Sequence, residues 1–266
     1  MSLPKPMFLV HVQSADVAGE VQLNGAPILP LWTHVSQDGY PSASEWVVDG
    51  ENTLSVHVTD SGENPRLHVA VCRATIGDDP LDASRNQVLT LDWPPPAALA
   101  DVAAPALPPV ISVSGPIQHG WGQWSWQRSP PFSNDRRTID ALVSYVRDLH
   151  ASLAGGSIDT LVAHSRVVYD EVAPIYDFEP SDGPDRLSRV WSYLNSRAGF
   201  ELAEFDEKDL DLRVRCGGQL IEPRTLDGAP IIRQEREIDG ELWSMPIFIA
   251  RTNWEYVAGE LTIVRY

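Results

Sequence analysis

The stretch SNDRRTIDALVSYVRDLHASLAGG, residues 133–156, is where the chain changes its period. Within it Ile139, Leu142, Val143, Val146, Leu149 and Leu153 recur at helical spacing and form one apolar stripe. Ser133 and Asn134 are residue types that cap helix N-termini, and Gly155-Gly156 ends the pattern. Upstream, apolar and polar residues simply alternate. A change from strand to helix periodicity inside one chain predicts two folding units of different class.

The upstream unit spans residues 7–128. Its short alternating runs, FLVHV, GEVQLNGAPI, NTLSVHV, RLHVAV, QVLTLDW, PVISV and QWSW, are punctuated by Asn24-Gly25, Asp49-Gly50 and Ser61-Gly62, which predicts an antiparallel β-sandwich. Alternation turns Leu54, Val56, Val58, Leu67, Val69 and Val71 inward and Ser55, His57 and Thr59 outward. Gly122 to Gln127 reads as the closing strand, with Trp124 and Trp126 on its core face. The functional alternative for these indoles is an exposed stacking platform for a sugar ring, partnered by Trp121 or Trp32. The segment Pro94–Pro109 is too proline-rich for regular structure. We read it as a long connection inside the first unit, with the boundary near Ser129; an interdomain linker is the alternative.

Downstream, residues 129–266 read as an α+β domain. After the first helix, Ser157 caps a second through Leu161 and Val162, and a third runs from Pro184 to Gly199 with Leu187, Val190, Trp191 and Leu194 on one face. Hairpin turns at Gly217-Gly218 and Asp239-Gly240, and a closing WEYVAGELTIVRY, predict an antiparallel meander. Helices followed by hairpins imply helices packed on one face of a curved sheet.

Two resemblances sharpen these expectations. The order VQLNGAPI followed by EWVVDGENTLSVHV, about residues 19–59, resembles the galactose-binding-like jelly roll. That likeness implies a jelly-roll sandwich, and many domains of that kind bind no sugar. Residues 135–266, with LHASLAGGSIDTLVAHS and IARTNWEYVAGELTIV, resemble the NTF2-like cone fold in element order. This second likeness implies a pocket between helices and sheet, in which enzymes of that superfamily keep a tyrosine with an aspartate or histidine. The residues that would line it here are His164, Tyr169, Asp170 and Tyr176.

Composition narrows the function classes. At 266 residues with 43% hydrophobic content, each half can bury its own core. The 37 acidic against 20 basic residues, a formal charge of −17, oppose binding to nucleic acid or an anionic membrane and favour a basic protein partner. The acidity is spread over both halves: 13 acidic and 5 basic residues in 1–132, and 24 and 15 in 133–266. Cys72 and Cys216 fall one in each half, which argues against a disulfide framework and points to a reducing compartment. The start MSLPKPMFLVHV lacks the apolar run of a secretory signal, so a cytoplasmic location is expected. Lysine occurs only at Lys5 and Lys208 while alanine and proline abound, which suggests a GC-rich bacterial genome.

The chain contains no nucleophile-elbow, phosphate-loop, dinucleotide or zincin signature, and no cofactor is expected. Acid–base chemistry would have to come from dispersed residues. In HSRVVYDEVAPIYDFEP, residues 164–180, the pairs Tyr169-Asp170 and Tyr176-Asp177 stand seven apart and would share one side of a helix, although Pro174 interrupts it. The plainer reading packs the tyrosines half-buried and solvates the carboxylates. His11, His57 and His68 alternate outward on three strands and could converge, but no carboxylate or cysteine spacing supports a metal, and none is assigned. The preferred expectation is a non-enzymatic binding protein with a basic protein partner, such as an immunity or scaffold protein. The alternatives are an enzyme acting on a small apolar molecule in the second unit, or carbohydrate binding by the first. The oligomeric state stays open.

Overall fold

The computed structural model describes residues 6–95, 107–254 and 257–266, with side chains excluded from 252–260. Most of the Pro94–Pro109 connection, residues 96–106, lies outside the described residues. The chain is mostly β, with a large antiparallel sheet in its N-terminal half and helices plus a second sheet in its C-terminal half. It divides into two compact units, the first ending at Gln123 and the second beginning at Trp124.

The first unit contains β1 (Met7–Leu23), β2 (Ala26–Leu31), β3 (Gln37–Gly39), β4 (Gly50–Ala74), a short α1 (Pro80–Ala83), β5 (Gln87–Trp93) and β6 (Val110–Ile117). β1 pairs antiparallel with β4 from Met7 opposite Ala74 to Leu23 opposite Leu54, interrupted near Asp16 and Gly19. Before the interruption β1 is flanked by β3, and its partner stretch of β4 by β5. Beyond it the flanking strands are β2 and β6. The bend needs glycine at position 19, where φ is +154° and a Cβ would stand 2.0 Å from the His57 carbonyl oxygen. Leu54, Val56, Leu67, Val69 and Val71 are buried as alternation predicts, while Val58 is only half-buried. Ser55 is buried too, because its strand is an inner one, lying between β1 and β6.

The Asn-Gly and Gly-Glu-Asn turns are joined to each other. Asn24 and Gly25 both take positive φ in the tight turn between β1 and β2. Asn24 donates to Asn52 Oδ1 at 2.8 Å, and its own Oδ1 accepts from the Thr53 amide at 2.9 Å. Asn52, fully buried, also accepts from the Val48 amide and donates to the carbonyls of Val48 and Gly50.

The second unit contains α2 (Arg136–Ala154), α3 (Asp159–His164), α4 (Arg166–Val172) and α5 (Asp182–Ser196). They are followed by β7 (Leu210–Arg215), β8 (Leu220–Thr225), β9 (Ile232–Arg233), β10 (Ser244–Met245), β11 (Phe248–Trp254) and β12 (Val257–Arg265). The main sheet has the order β12-β11-β8-β7, and β9 and β10 form a separate small pair. α2 buries Leu142, Val146, Leu149 and Leu153 against Ile221, Ile249 and Ile263 of the sheet. Each such side chain contributes roughly 1.5–3 kcal/mol by leaving water. Ile139 and Val190, expected in the stripes of the first and third helices, are 37% and 49% exposed, since the contact face is narrower than either stripe.

Further local expectations differ from the structure: Ser61-Gly62 does not separate two strands but lies within the continuous strand β4. The helix cap is Asp135, whose carboxylate accepts from the Thr138 amide at 2.9 Å, while Ser133 hydrogen-bonds that carboxylate instead of the backbone. The segment between Asp239-Gly240 and its flanks is largely irregular, with only an isolated bridge from Ile238 to Glu241 and the two-residue strands β9 and β10. QWSW is not a closing strand. Ser125–Arg128 form a 3₁₀ turn, because Gln127 reaches back to accept from the Trp124 amide at 2.8 Å, and the local amides of Gln127 and Ser129 bond within the turn. Trp124 and Trp126 are each only 3% exposed, so they are core residues of the second unit and not a stacking platform.

Candidate functional site

Helix α4 stops at Val172, ahead of Pro174, so Tyr176 and Asp177 leave the helix and the two Tyr-Asp pairs do not share a face. The Tyr169 ring is buried. Burial pushes its hydroxyl above the usual phenol range, and the nearby Tyr266 side chain offsets this in part. Asp170, the next residue, is exposed. Tyr176 is half-buried against the apolar core. His164 ends α3 half-buried, edge-on to the Tyr145 ring at 4.9 Å. The Tyr145 hydroxyl is buried, which raises its pKa strongly. The structure therefore brings Tyr169 to Tyr266 and His164 to Tyr145, and turns Asp170 toward solvent.

Buried charge is the feature that sequence periodicity did not disclose. Glu222 on β8 is fully buried and accepts from Arg215 Nε at 2.8 Å and Arg224 Nε at 2.6 Å. Glu171 on α4 accepts from Arg265 Nη1 at 2.7 Å and from the Ser125 amide at 2.5 Å, and the Arg265 guanidinium lies over the Trp124 ring at 5.2 Å. Alternating charges inside LRVR, next to an apolar sheet face, were the one available signal. Cys216 lies beside this group, and burial pushes its thiol up to about 12 despite the nearby Arg215 and Arg265. A thiol so rarely ionised is a poor nucleophile.

In the first unit His11 and His68 come within 5.3 Å, ring centre to ring centre, whereas His57 lies exposed on the other stretch of β4. His11 is buried and stacks on Tyr40. His68 is committed at both nitrogens: Nδ1 faces the Asp92 carboxylate at 2.8 Å and Nε2 faces the Gln87 amide at 3.2 Å. Among the described residues no group of three histidine, cysteine or acidic side chains is placed to hold a metal ion. Beside this pair lies a shallow hollow of about 320 Å³, with Gln13, Gln37, Asp38, Arg66, His68 and Trp93 in its wall.

The second unit carries a hollow of about 300 Å³ on a different footing. Four carboxylates, Glu204, Asp206, Asp209 and Asp227, line it together with the apolar side chains of Phe205, Leu226 and Ile231, and Arg233 is the single cation among the lining residues. Asp206 and Asp227 are held by turn hydrogen bonds, to the Lys208 amide and to Thr225 and Ala229 respectively. Those bonds and Arg233 keep Asp227 ionised, below the usual carboxylate range. Leu226 is 67% exposed at the rim. The arrangement can receive a cationic group and cover its hydrocarbon stem.

Compared with family models, with curated proteins and with solved structures, the chain matches none of them.

Proposed function

We propose that the chain is a non-enzymatic binding protein that engages a basic protein partner through the acidic hollow of its second unit. The observation that carries this reading is a hollow lined by Glu204, Asp206, Asp209 and Asp227 together with Phe205, Leu226 and Ile231. A guanidinium entering there would find carboxylates and the Phe205 ring among the lining side chains. The overall charge of −17 adds long-range attraction for a basic protein and repulsion for nucleic acid. An immunity protein that neutralises a basic effector is one concrete form, and a scaffold another; a cytoplasmic location belongs to the same reading. The placement of Asp170 in solvent and the filling of the second core by α2 and the sheet favour binding over acid–base turnover in that unit. A jelly-roll character for the first unit is supported by its long bent antiparallel strands, and an NTF2-like one for the second by α3 and α4 packed on β12. The test is titration of an arginine-rich, aromatic-flanked peptide into the purified chain. Glu204→Gln combined with Asp209→Asn is expected to weaken binding by about tenfold, while Asp140→Asn on exposed α2 leaves it unchanged. Equal affinity in all three proteins would remove the hollow as the site.

A second reading, carbohydrate binding by the first unit, is favoured by the hollow beside His68. Its wall combines two amides, a carboxylate and a guanidinium with Trp93, whose buried Nε1 has no hydrogen-bond partner among the described residues. Titration with a glycan panel followed by tryptophan fluorescence tests it, and a flat response in the wild type that matches Trp93→Phe would count against it.

A further inference from the structure

We propose that β7 is an edge at which two copies of this chain pair across a two-fold axis. β7 ends the sheet order β12-β11-β8-β7, and among the described residues no strand pairs with its outer side. Its register with β8 runs from Leu210 opposite Thr225 to Arg215 opposite Leu220 without a shift. The Leu226 amide donates to the Asp209 carbonyl at 2.8 Å. That bond sets the alternation of the ladder: Asp211, Arg213 and Arg215 share backbone bonds with β8, and Leu210, Leu212 and Val214 turn their backbone groups outward. Pro223 agrees with this phase, because it stands opposite Leu212, where no amide is required of it. The Leu210 amide returns to the Glu207 carbonyl. The outer side therefore offers the Leu210 carbonyl and both backbone groups of Leu212 and Val214.

An antiparallel pairing centred on Leu212 uses all of these groups except the Val214 carbonyl, whose donor would be the Leu210 amide already bonded to Glu207. Leu212 meets Leu212 of the second copy, Leu210 meets Val214, and Asp211 meets Arg213. Asp211 and Arg213 already bond within one chain at 2.9 Å and are partly exposed. Pairing sets two such couples head to tail, so four side chains close a ring of alternating charge at the positions where opposite side chains approach most closely. Neighbouring registers lose this match, since centring on Arg213 sets arginine against arginine, and centring on Asp211 sets aspartate against aspartate. Val214 is 63% exposed in the single chain, and the Leu210 side chain of the second copy would cover it. The charge pattern selects both the occupant, a second copy, and the register.

The experiment needs no ligand: sedimentation velocity on the full chain over a concentration series, with circular dichroism to verify folding. The wild type is expected to shift from monomer to dimer as concentration rises. Asp211→Arg and Arg213→Asp are each expected to remain monomeric. An equimolar mixture of those two variants is expected to form a heterodimer, since each supplies the charge that the other lacks. Hydrogen exchange on the wild type provides a measurement that needs no variant, with slower exchange at the Leu212 and Val214 amides at high concentration than at low. A monomeric wild type, a dimer indifferent to either reversal, or a mixture that stays monomeric while both variants are folded would each overturn the pairing.

Discussion

The Tyr169 ring occupies the space that a side chain on Gly183 would need: an ideal Cβ at Gly183 would stand 2.2 Å from Tyr169 Cδ1. Position 183 lies in the first turn of α5, and the ring that approaches it comes from α4. This close approach joins two helices that share little else in the sequence pattern.

Gly183→Ala is therefore expected to destabilise the protein although alanine is the better helix former. The helix gain is at most about 1 kcal/mol. The overpacking cost is about 1–3 kcal/mol, because the contact is with ring carbons of a buried side chain and not with a flexible tip. A lower urea midpoint is the expected readout. Combining Gly183→Ala with Tyr169→Leu should recover part of the loss, and an additive double variant would show that the ring is not the obstacle.

Asn52 gives a second prediction. It is fully buried, and its amide joins the β1–β2 turn to the start of β4 through four hydrogen bonds. Asn52→Leu has nearly the same volume but leaves the Asn24 amide and the Val48 backbone groups short of partners. A loss of about 1–3 kcal/mol is expected. Unchanged stability would mean that water replaces the amide.

Glu222 gives a third. Neutralising it as Glu222→Gln leaves Arg215, only 8% exposed, and Arg224 beside each other without their shared carboxylate. Removal of one partner from a buried charge group costs about 3–5 kcal/mol. Chemical denaturation measures it, and a cost below about 1 kcal/mol would place the group in the solvent-screened class.

These cases show what was legible in the sequence. The Asn24-Gly25 turn and the helix stripe of Leu142, Val146, Leu149 and Leu153 could be read directly, because backbone conformation and burial follow local residue type and period. Glu222 could not, since a buried carboxylate is tolerated only with partners: Arg224 stands two residues along the same strand, but Arg215 reaches it only through the pairing of β7 with β8, which no local pattern encodes. QWSW misled for a related reason: alternation placed Trp124 and Trp126 together, but Gln127 folding back on the Trp124 amide made a turn out of a strand-like string. In the candidate site, Tyr169 and Asp170 were legible as residues. Their separation, one inside and one outside, depends on which face of α4 packs inward and on the space left by Gly183.

Two buried histidines set the last prediction, a pH dependence with its own window. His150 on α2 donates Nε2–H to the Ala203 carbonyl at 2.9 Å, and His119 accepts the Trp121 amide at Nδ1. Burial lowers the pKa of both below the ordinary 6.5; the Ala203 carbonyl offsets this in part for His150, and Asp49 does so for His119. The unfolded chain therefore takes up protons that the folded chain resists. Stability contributed by these neutral rings is fully present above pH 6.5 and falls as pH drops below it, levelling off only beneath the folded values. The carboxylates act in a separate, more acidic range: Asp135, held down to about 2 chiefly by Ser133 and Thr138, stabilises above 3.8 and loses its contribution as pH falls toward 2. Melting temperature is thus expected to decline in two stages on acidification. His150→Gln, which can keep the bond to Ala203, should reduce the slope of the first stage and leave the second in place, at a cost of about 1 kcal/mol near neutrality. A wild type whose melting temperature is flat between pH 7 and pH 5, or a variant whose slope matches it, would mean that these rings titrate as freely in the folded chain as in the unfolded one.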